Sequence, residues 1–221
     1  MDRRAFLKLS TVAGGSLLAS NWLFDTPLAL ASSPVLTSTN GILKLTLVAD
    51  EKLIKYGNST RWAMTYNGVF PAPTLRAKPG DTLEITLVNK LSNPTNLHTH
   101  GLHTSPSGNG DNPLLMIEPG KTFKYSIKIP MTQKSGTFWY HPHHHELSAG
   151  QVASGLAGAL IVEDVLDQIP LMAKSTERVI VLADPRIGKT SAVASTSPMD
   201  RMHGRSGPNT LANGALVPSF Q

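Results

Sequence analysis

Seven of the eight histidines in this chain fall into two short clusters. The first reads Leu97-His98-Thr99-His100-Gly101-Leu102-His103, the second Trp139-Tyr140-His141-Pro142-His143-His144-His145. Each contains a His-x-His pair. On an extended strand, residues i and i+2 point to the same side, roughly 6.6–7 Å apart along the chain. His98 and His100 therefore face one space. His141 and His143 face the same space if their strand is a neighbour. Imidazole is a common metal ligand and suits copper well. Two facing pairs have the reach to hold more than one metal ion. Gly101 fits as a residue that lets backbone or metal approach closely. One His-x-His alone is weak evidence; two on strands of one β domain are stronger. The competing reading is a surface His-rich patch that meets metal only incidentally. It suits His103, His144 and His145 better than the four paired residues. His203, in a loose tail, needs no role beyond solvation.

The elements that must position these residues read as strands. Leu43, Leu45 and Leu47 alternate with Lys44 and Thr46, so one face is buried and one solvated. Trp62, Met64 and Tyr66 alternate before a turn at Asn67-Gly68. Pro71, Pro73 and Pro79-Gly80-Asp81 punctuate the next stretch. Leu83, Ile85 and Leu87 alternate with polar neighbours, as do Phe123, Tyr125, Ile127 and Ile129. Phe138 to His141 reads as a strand, and Leu156 to Val162 as a small-residue-rich apolar one. Short strands with frequent turn signals argue an all-β sandwich, and no long helical period follows the N-terminal segment.

Composition narrows the chemistry. Hydrophobic residues make up 40% and charged residues 16%, which suits a globular β protein. The net charge of +5 is spread through alternating segments. No basic run with interleaved aromatics tracks a nucleic acid, so that partner is not expected. There is no cysteine. That excludes a disulfide framework, and it excludes a blue-copper site, which needs a Cys thiolate with two His.

The compact domain is expected over residues 41–165, after a flexible Ser/Thr/Pro-rich lead-in at 32–40. Glu163 to Ser175 reads as a linker, Arg178 to Ala183 as a strand, and Asn213-Gly214 as a turn. Residues 166–221 then form a linker and a partial second domain. Two strands do not close a sandwich alone. Residues 177–221 are accordingly expected to be mobile, exchanging amides faster than residues 81–89. At the N-terminus, Arg3-Arg4 followed by Phe6 and Leu7 resembles a twin-arginine signal over residues 1–31, with Asp2 where Ser or Thr is usual. A broken apolar stretch and the small-x-small site Ala29-Leu30-Ala31 follow. The stretch is too short for the ~20 apolar residues of a membrane span. The expectation is export through the twin-arginine machinery to the periplasm or beyond.

The motifs resemble those of the multicopper oxidases, the laccase and copper-efflux oxidase family. Asn96-Leu97-His98-Thr99-His100-Gly101 is similar to the family's first HxHG motif, and Gly136-Thr137-Phe138-Trp139-Tyr140-His141-Pro142-His143 to its second. Phe70-Pro71-Ala72-Pro73-Thr74-Leu75 leading to Pro79-Gly80-Asp81 looks like its approach to the first motif. Gln151 with Gly155 to Val162 looks like its closing strand. Asn213-Gly214-Ala215-Leu216-Val217-Pro218 looks like the opening of its second domain. The resemblance implies a cupredoxin-like Greek-key β-sandwich followed by an incomplete second cupredoxin-like domain. It implies copper as cofactor, with His98 a ligand of the type 2 copper. His100 and His141 would be ligands of one type 3 copper, and His143 of the other. In the family this trinuclear cluster reduces dioxygen to water with electrons from a type 1 copper in the last domain. Asp111 matches an acid that the family often has near the cluster, a candidate proton relay; a plain turn Asp in Asn109-Gly110-Asp111-Asn112 is the alternative. Glu146 departs from the Gly that close relatives tend to have.

The four histidines supply half of the cluster's imidazoles. The family's HxxHxH and HCHxxxH motifs, which bring the rest and the type 1 site, do not occur here. Three readings stay open. The chain is an oxidase part completed by a second chain carrying the C-terminal cupredoxin domain, a stand-alone periplasmic copper-binding module, or a vestigial cupredoxin that holds no metal.

Overall fold

The computed structural model describes residues 33–163, 169–189, 198–203 and 207–216. The signal expected over residues 1–31 lies outside them, as do parts of the linker and of the tail.

Two sheets pack face to face. β1 (Val35–Thr37), β4 (Ala72–Ala77), β9 (Gly158–Val162), β8 (Gly136–His141) and β6 (His98–His100) form one, in the order β1-β4-β9-β8-β6. β3 (Ser59–Tyr66), β2 (Ile42–Tyr56), β5 (Thr82–Asn89) and β7 (Thr122–Lys128) form the other, in the order β3-β2-β5-β7. From β3 to β8 each successive strand lies in the opposite sheet. The result is the cupredoxin-like Greek-key sandwich.

The residue pattern explains the layers. Along β5, Leu83, Ile85 and Leu87 are buried while Thr82, Glu84 and Thr86 are only partly covered. Along β7, Tyr125 and Ile127 turn inward and Lys124 and Lys128 outward. β9 is buried at every position, as a short apolar run between two strands must be. Leu47, Leu75, Leu87 and Ile127 are wholly buried in the shared core, each worth about 1.5–3 kcal/mol of transfer free energy. Two tyrosines stitch core to backbone. The Tyr140 hydroxyl donates to the Pro73 carbonyl at 2.6 Å, and the Leu97 N–H donates to the Tyr125 hydroxyl oxygen at 3.0 Å. The second bond fixes the chain one residue before the first His-x-His pair.

Three features differ from the sequence reading. The lead-in carries an ordered strand: β1 pairs in parallel with β4. Ser38 Oγ also donates to Asp81 Oδ2 at 2.5 Å, and Ser33 Oγ to the Pro71 carbonyl. Second, the strand expected over Arg178–Ala183 is reduced to its end. β10 (Leu182–Ala183) pairs antiparallel with β11 (Leu211–Ala212), and this pair is bound to the sandwich. The Trp62 N–H donates to Gly188 O at 3.0 Å and the Arg186 N–H to Ala153 O at 2.8 Å, while Asn209 Nδ2 donates to Tyr56 Oη at 3.0 Å. Third, short helices occur: α1 (Ser148–Ala153), α2 (Pro170–Ala173) and α3 (Pro198–His203). Among the described residues, no helix is long and apolar enough to cross a membrane.

Candidate metal centre

Among the described residues β6 is the edge of its sheet, with β8 as its one strand partner. The antiparallel register sets His98 opposite His141, Thr99 opposite Tyr140 and His100 opposite Trp139. Alternation does the rest. Thr99 and Tyr140 point into the core and are wholly buried, so the histidines emerge together on the other face.

There the four rings converge. Ring centroids lie 5.4 Å apart for His98 and His141, 5.6 Å for His98 and His100, and 5.2 Å for His98 and His143. The ligand nitrogens of His98, His100 and His141 all lie within 4.8 Å of one another. His143, two residues on, flanks this trio at 6.2 Å from the His141 ring. His103 faces solvent, and His144 turns Nδ1 to the His145 carbonyl at 2.9 Å. His203 closes α3, and its side chain is outside what the structure describes.

Hydrogen bonds prepare the rings as ligands. His98 Nδ1 donates to Asp111 Oδ1 at 2.9 Å, which leaves Nε2 free for a metal. His141 Nδ1 donates to the Pro142 carbonyl at 2.8 Å, with Nε2 3.3 Å from His100 Nδ1. Burial lowers the His141 pKa, the Pro142 carbonyl opposes this, and the neighbouring imidazoles lower it further, to about 4. The ring is neutral at pH 7, the form that coordinates. Asp111 accepts further from the Thr99 N–H at 3.0 Å and the Thr99 hydroxyl at 2.5 Å. Burial pushes its carboxyl up, but the bonds from His98 and Thr99 outweigh this and hold it below the usual range. Asp111 thus spends its side chain on the first motif, not on its own turn.

Further residues support the site, and sequence reasoning gave them no role there. Trp139 stacks on His141 at 3.9 Å and on His100 at 5.1 Å, covering one side of both rings. Gln151 on α1 binds the segment before β6, with Oε1 accepting from Thr95 Oγ1 at 2.9 Å and Nε2 donating to Pro94 O at 2.8 Å. Asn96 is buried and spans three segments. The available signal was their position beside the motifs, without a partner to aim at. Gly101 is at φ +91°, and a Cβ there would come within 2.7 Å of the Phe138 ring. Its smallness therefore serves the turn and the close approach of Phe138.

The donor set fits copper: imidazole nitrogens gathered on one face, with no thiolate, suit a borderline cation. The multicopper oxidase family model matches residues 48–166. Over 184 residues the chain is 35% identical to a multicopper oxidase of Staphylococcus epidermidis, covering 82% of this chain and 40% of that protein. It is also 35% identical over 185 residues to copper resistance protein A of Escherichia coli, covering 83% of this chain and 29% of that one. The solved structure of a multicopper oxidase from Campylobacter jejuni, described as a metallo-oxidase, superposes with a TM-score of 0.70 and 32% identity. That match covers 86% of this chain and 41% of its own. The chain thus spans 40% or less of the length of these two curated relatives. By its matched residues, its sandwich and its paired His-x-His strands, the chain belongs to the multicopper oxidase family.

Proposed function

We propose that this chain is the copper-binding N-terminal part of a multicopper oxidase, supplying half of a trinuclear cluster that reduces dioxygen to water while a substrate is oxidised. The observation that carries this reading is the convergence of four imidazoles on one face, His98 and His100 from β6, His141 from β8 and His143 from the segment just beyond it, with Asp111 and Trp139 beside them. His98, His100, His141 and His143 hold copper, which supplies the one-electron transfers that dioxygen reduction needs. His98 is held in one tautomer by Asp111. The buried, ionised Asp111 is also the group placed to accept and return a proton, through His98 Nδ1 and the hydroxyls of Thr99 and Thr104. The remaining imidazoles and the type 1 site come from a C-terminal cupredoxin domain carrying HxxHxH and HCHxxxH motifs. Without that domain the chain has no oxidase activity. Export to the periplasm by the twin-arginine machinery follows from Arg3-Arg4.

The test is completion. The chain is co-expressed with such a domain from a relative, and dioxygen uptake is measured. Uptake that needs both parts and is lost in His98→Ala and His141→Ala supports the proposal; Asp111→Asn should slow it. No uptake and no copper retained in any combination sinks it. A second reading, the stand-alone binding module, is favoured by the trio of nitrogens within 4.8 Å, which suffices for one ion. Tight, stoichiometric cupric binding by the chain alone, lost in both alanine variants, would select it. A folded chain with no metal affinity would instead select the vestigial reading.

A further inference from the structure

The strand ladder explains three of the four histidines. His98, His100 and His141 sit within the β6/β8 pair, and register fixes their backbones. β8 ends at His141. His143 lies beyond it, after Pro142, which has no N–H to donate. Nothing in the sheet holds it, yet its ring stands 5.2 Å from that of His98. Its backbone N–H instead donates to Asn96 Oδ1 at 2.6 Å.

Asn96 does more than accept that bond. Its Nδ2 donates to the Pro113 carbonyl at 3.1 Å and to the Leu115 carbonyl at 3.0 Å. One wholly buried amide therefore joins the segment entering β6, the loop that follows Asp111, and the backbone of His143. Both NH₂ protons and the carbonyl oxygen are used, so the amide has one fixed orientation. The same loop carries Asp111, which holds His98. Asn96 thus ties the grip on His98 to the placement of His143.

We infer that Asn96 is the positioning residue for His143, turning a three-histidine site into a four-histidine one. This rests on the reading of the cluster as a copper site only for its metal arm. Ligand-supporting residues of this kind typically govern metal affinity by about 10- to 100-fold. Leu at this position would fill the space but leave the His143 N–H and the part-buried Pro113 and Leu115 carbonyls without the Asn96 partner.

The experiment uses the full chain and has two arms. In the metal-free protein, amide exchange is followed residue by residue. The His143 N–H should be protected in the wild type and exposed in Asn96→Ala, while the Thr99 and Tyr140 amides stay protected. An unprotected His143 amide in the wild type overturns the inference without any variant having to fold. In the second arm cupric ion is titrated into wild type, Asn96→Ala, His143→Ala and the double variant. Asn96→Ala should weaken binding about 10- to 100-fold, and the double variant should be no weaker than His143→Ala alone. Full additivity would mean that Asn96 acts elsewhere, and overturns it. If the wild type binds no cupric ion, the copper reading of the chain alone falls, and the exchange arm still decides the role of Asn96.

Discussion

His141 is the histidine whose charge state the fold controls most strongly, because burial and three neighbouring imidazoles all oppose its protonation. Its pKa of about 4 lies well below the ordinary 6.5. Between those values the unfolded chain takes up a proton that the folded chain refuses. Stability is therefore full above about pH 6.5 and is lost as pH falls towards 4, by roughly 3 kcal/mol or less. Asp111, held below its ordinary range, adds a further loss as its carboxylate protonates at lower pH. The urea midpoint of the metal-free chain, measured from pH 7.5 to 4.5, should fall with acid. His141→Gln should flatten the slope above pH 4.5. An equally steep slope in that variant would place the titration elsewhere.

Among the elements, the turn into α1 is under strain. Glu146 sits at φ 62°, in the left-handed region that favours glycine, at about 1–2 kcal/mol for an ordinary residue. Glycine would relieve that strain but has more freedom to lose from the unfolded chain. Glu146→Gly should stabilise the fold by about 0.5–1 kcal/mol net, read as a rise in the urea midpoint; a fall would show that the Glu side chain contributes there. The departure at Glu146 was legible in the sequence, and its conformation was not. The same division holds elsewhere. β5 and β7 were legible because one face is buried and period-two alternation follows. The second half of β2 was not, because Asp50, Glu51 and Lys52 are polar and only the ladder to β3 keeps them extended. β1 was hidden by Ser, Thr and Pro, since a three-residue edge strand needs only backbone partners. In the site, the His-x-His spacing pointed to the rings that the structure brings together. Asn96 and Gln151 act through partners far along the chain, as does Trp139 towards His100, which no local pattern reports.

The whole molecule joins a closed sandwich to a two-stranded appendage. Between them lies an apolar groove of about 560 Å³, lined by residues including Phe70, Phe138, Trp139, Val152 and Val181. Arg76 reaches Glu163 at 3.3 Å and Glu177 at 2.5 Å, linking β4 to the chain on both sides of the linker. These bonds seat the appendage, but a two-stranded sheet has little of its own to bury. Amides of β10 and β11 should therefore exchange faster than those of β5, measured by mass spectrometry on the full chain. Equal protection would mean that the groove contacts stabilise the pair as much as a complete layer would.

The insertion of β9 between β4 and β8 has a kinetic consequence. All four clustered histidines are synthesised before Gly158–Val162, yet among the described residues β8 reaches the rest of its sheet only through β9. The four-histidine face is thus expected to be a late product of folding, set by long-range contact formation rather than by the local order of the histidines. A nascent chain ending at residue 155 would display all four histidines and still bind cupric ion no better than an unstructured peptide of the same composition. On the proposed copper reading, the site is complete only after β9 has arrived, which separates the timing of synthesis from that of metallation.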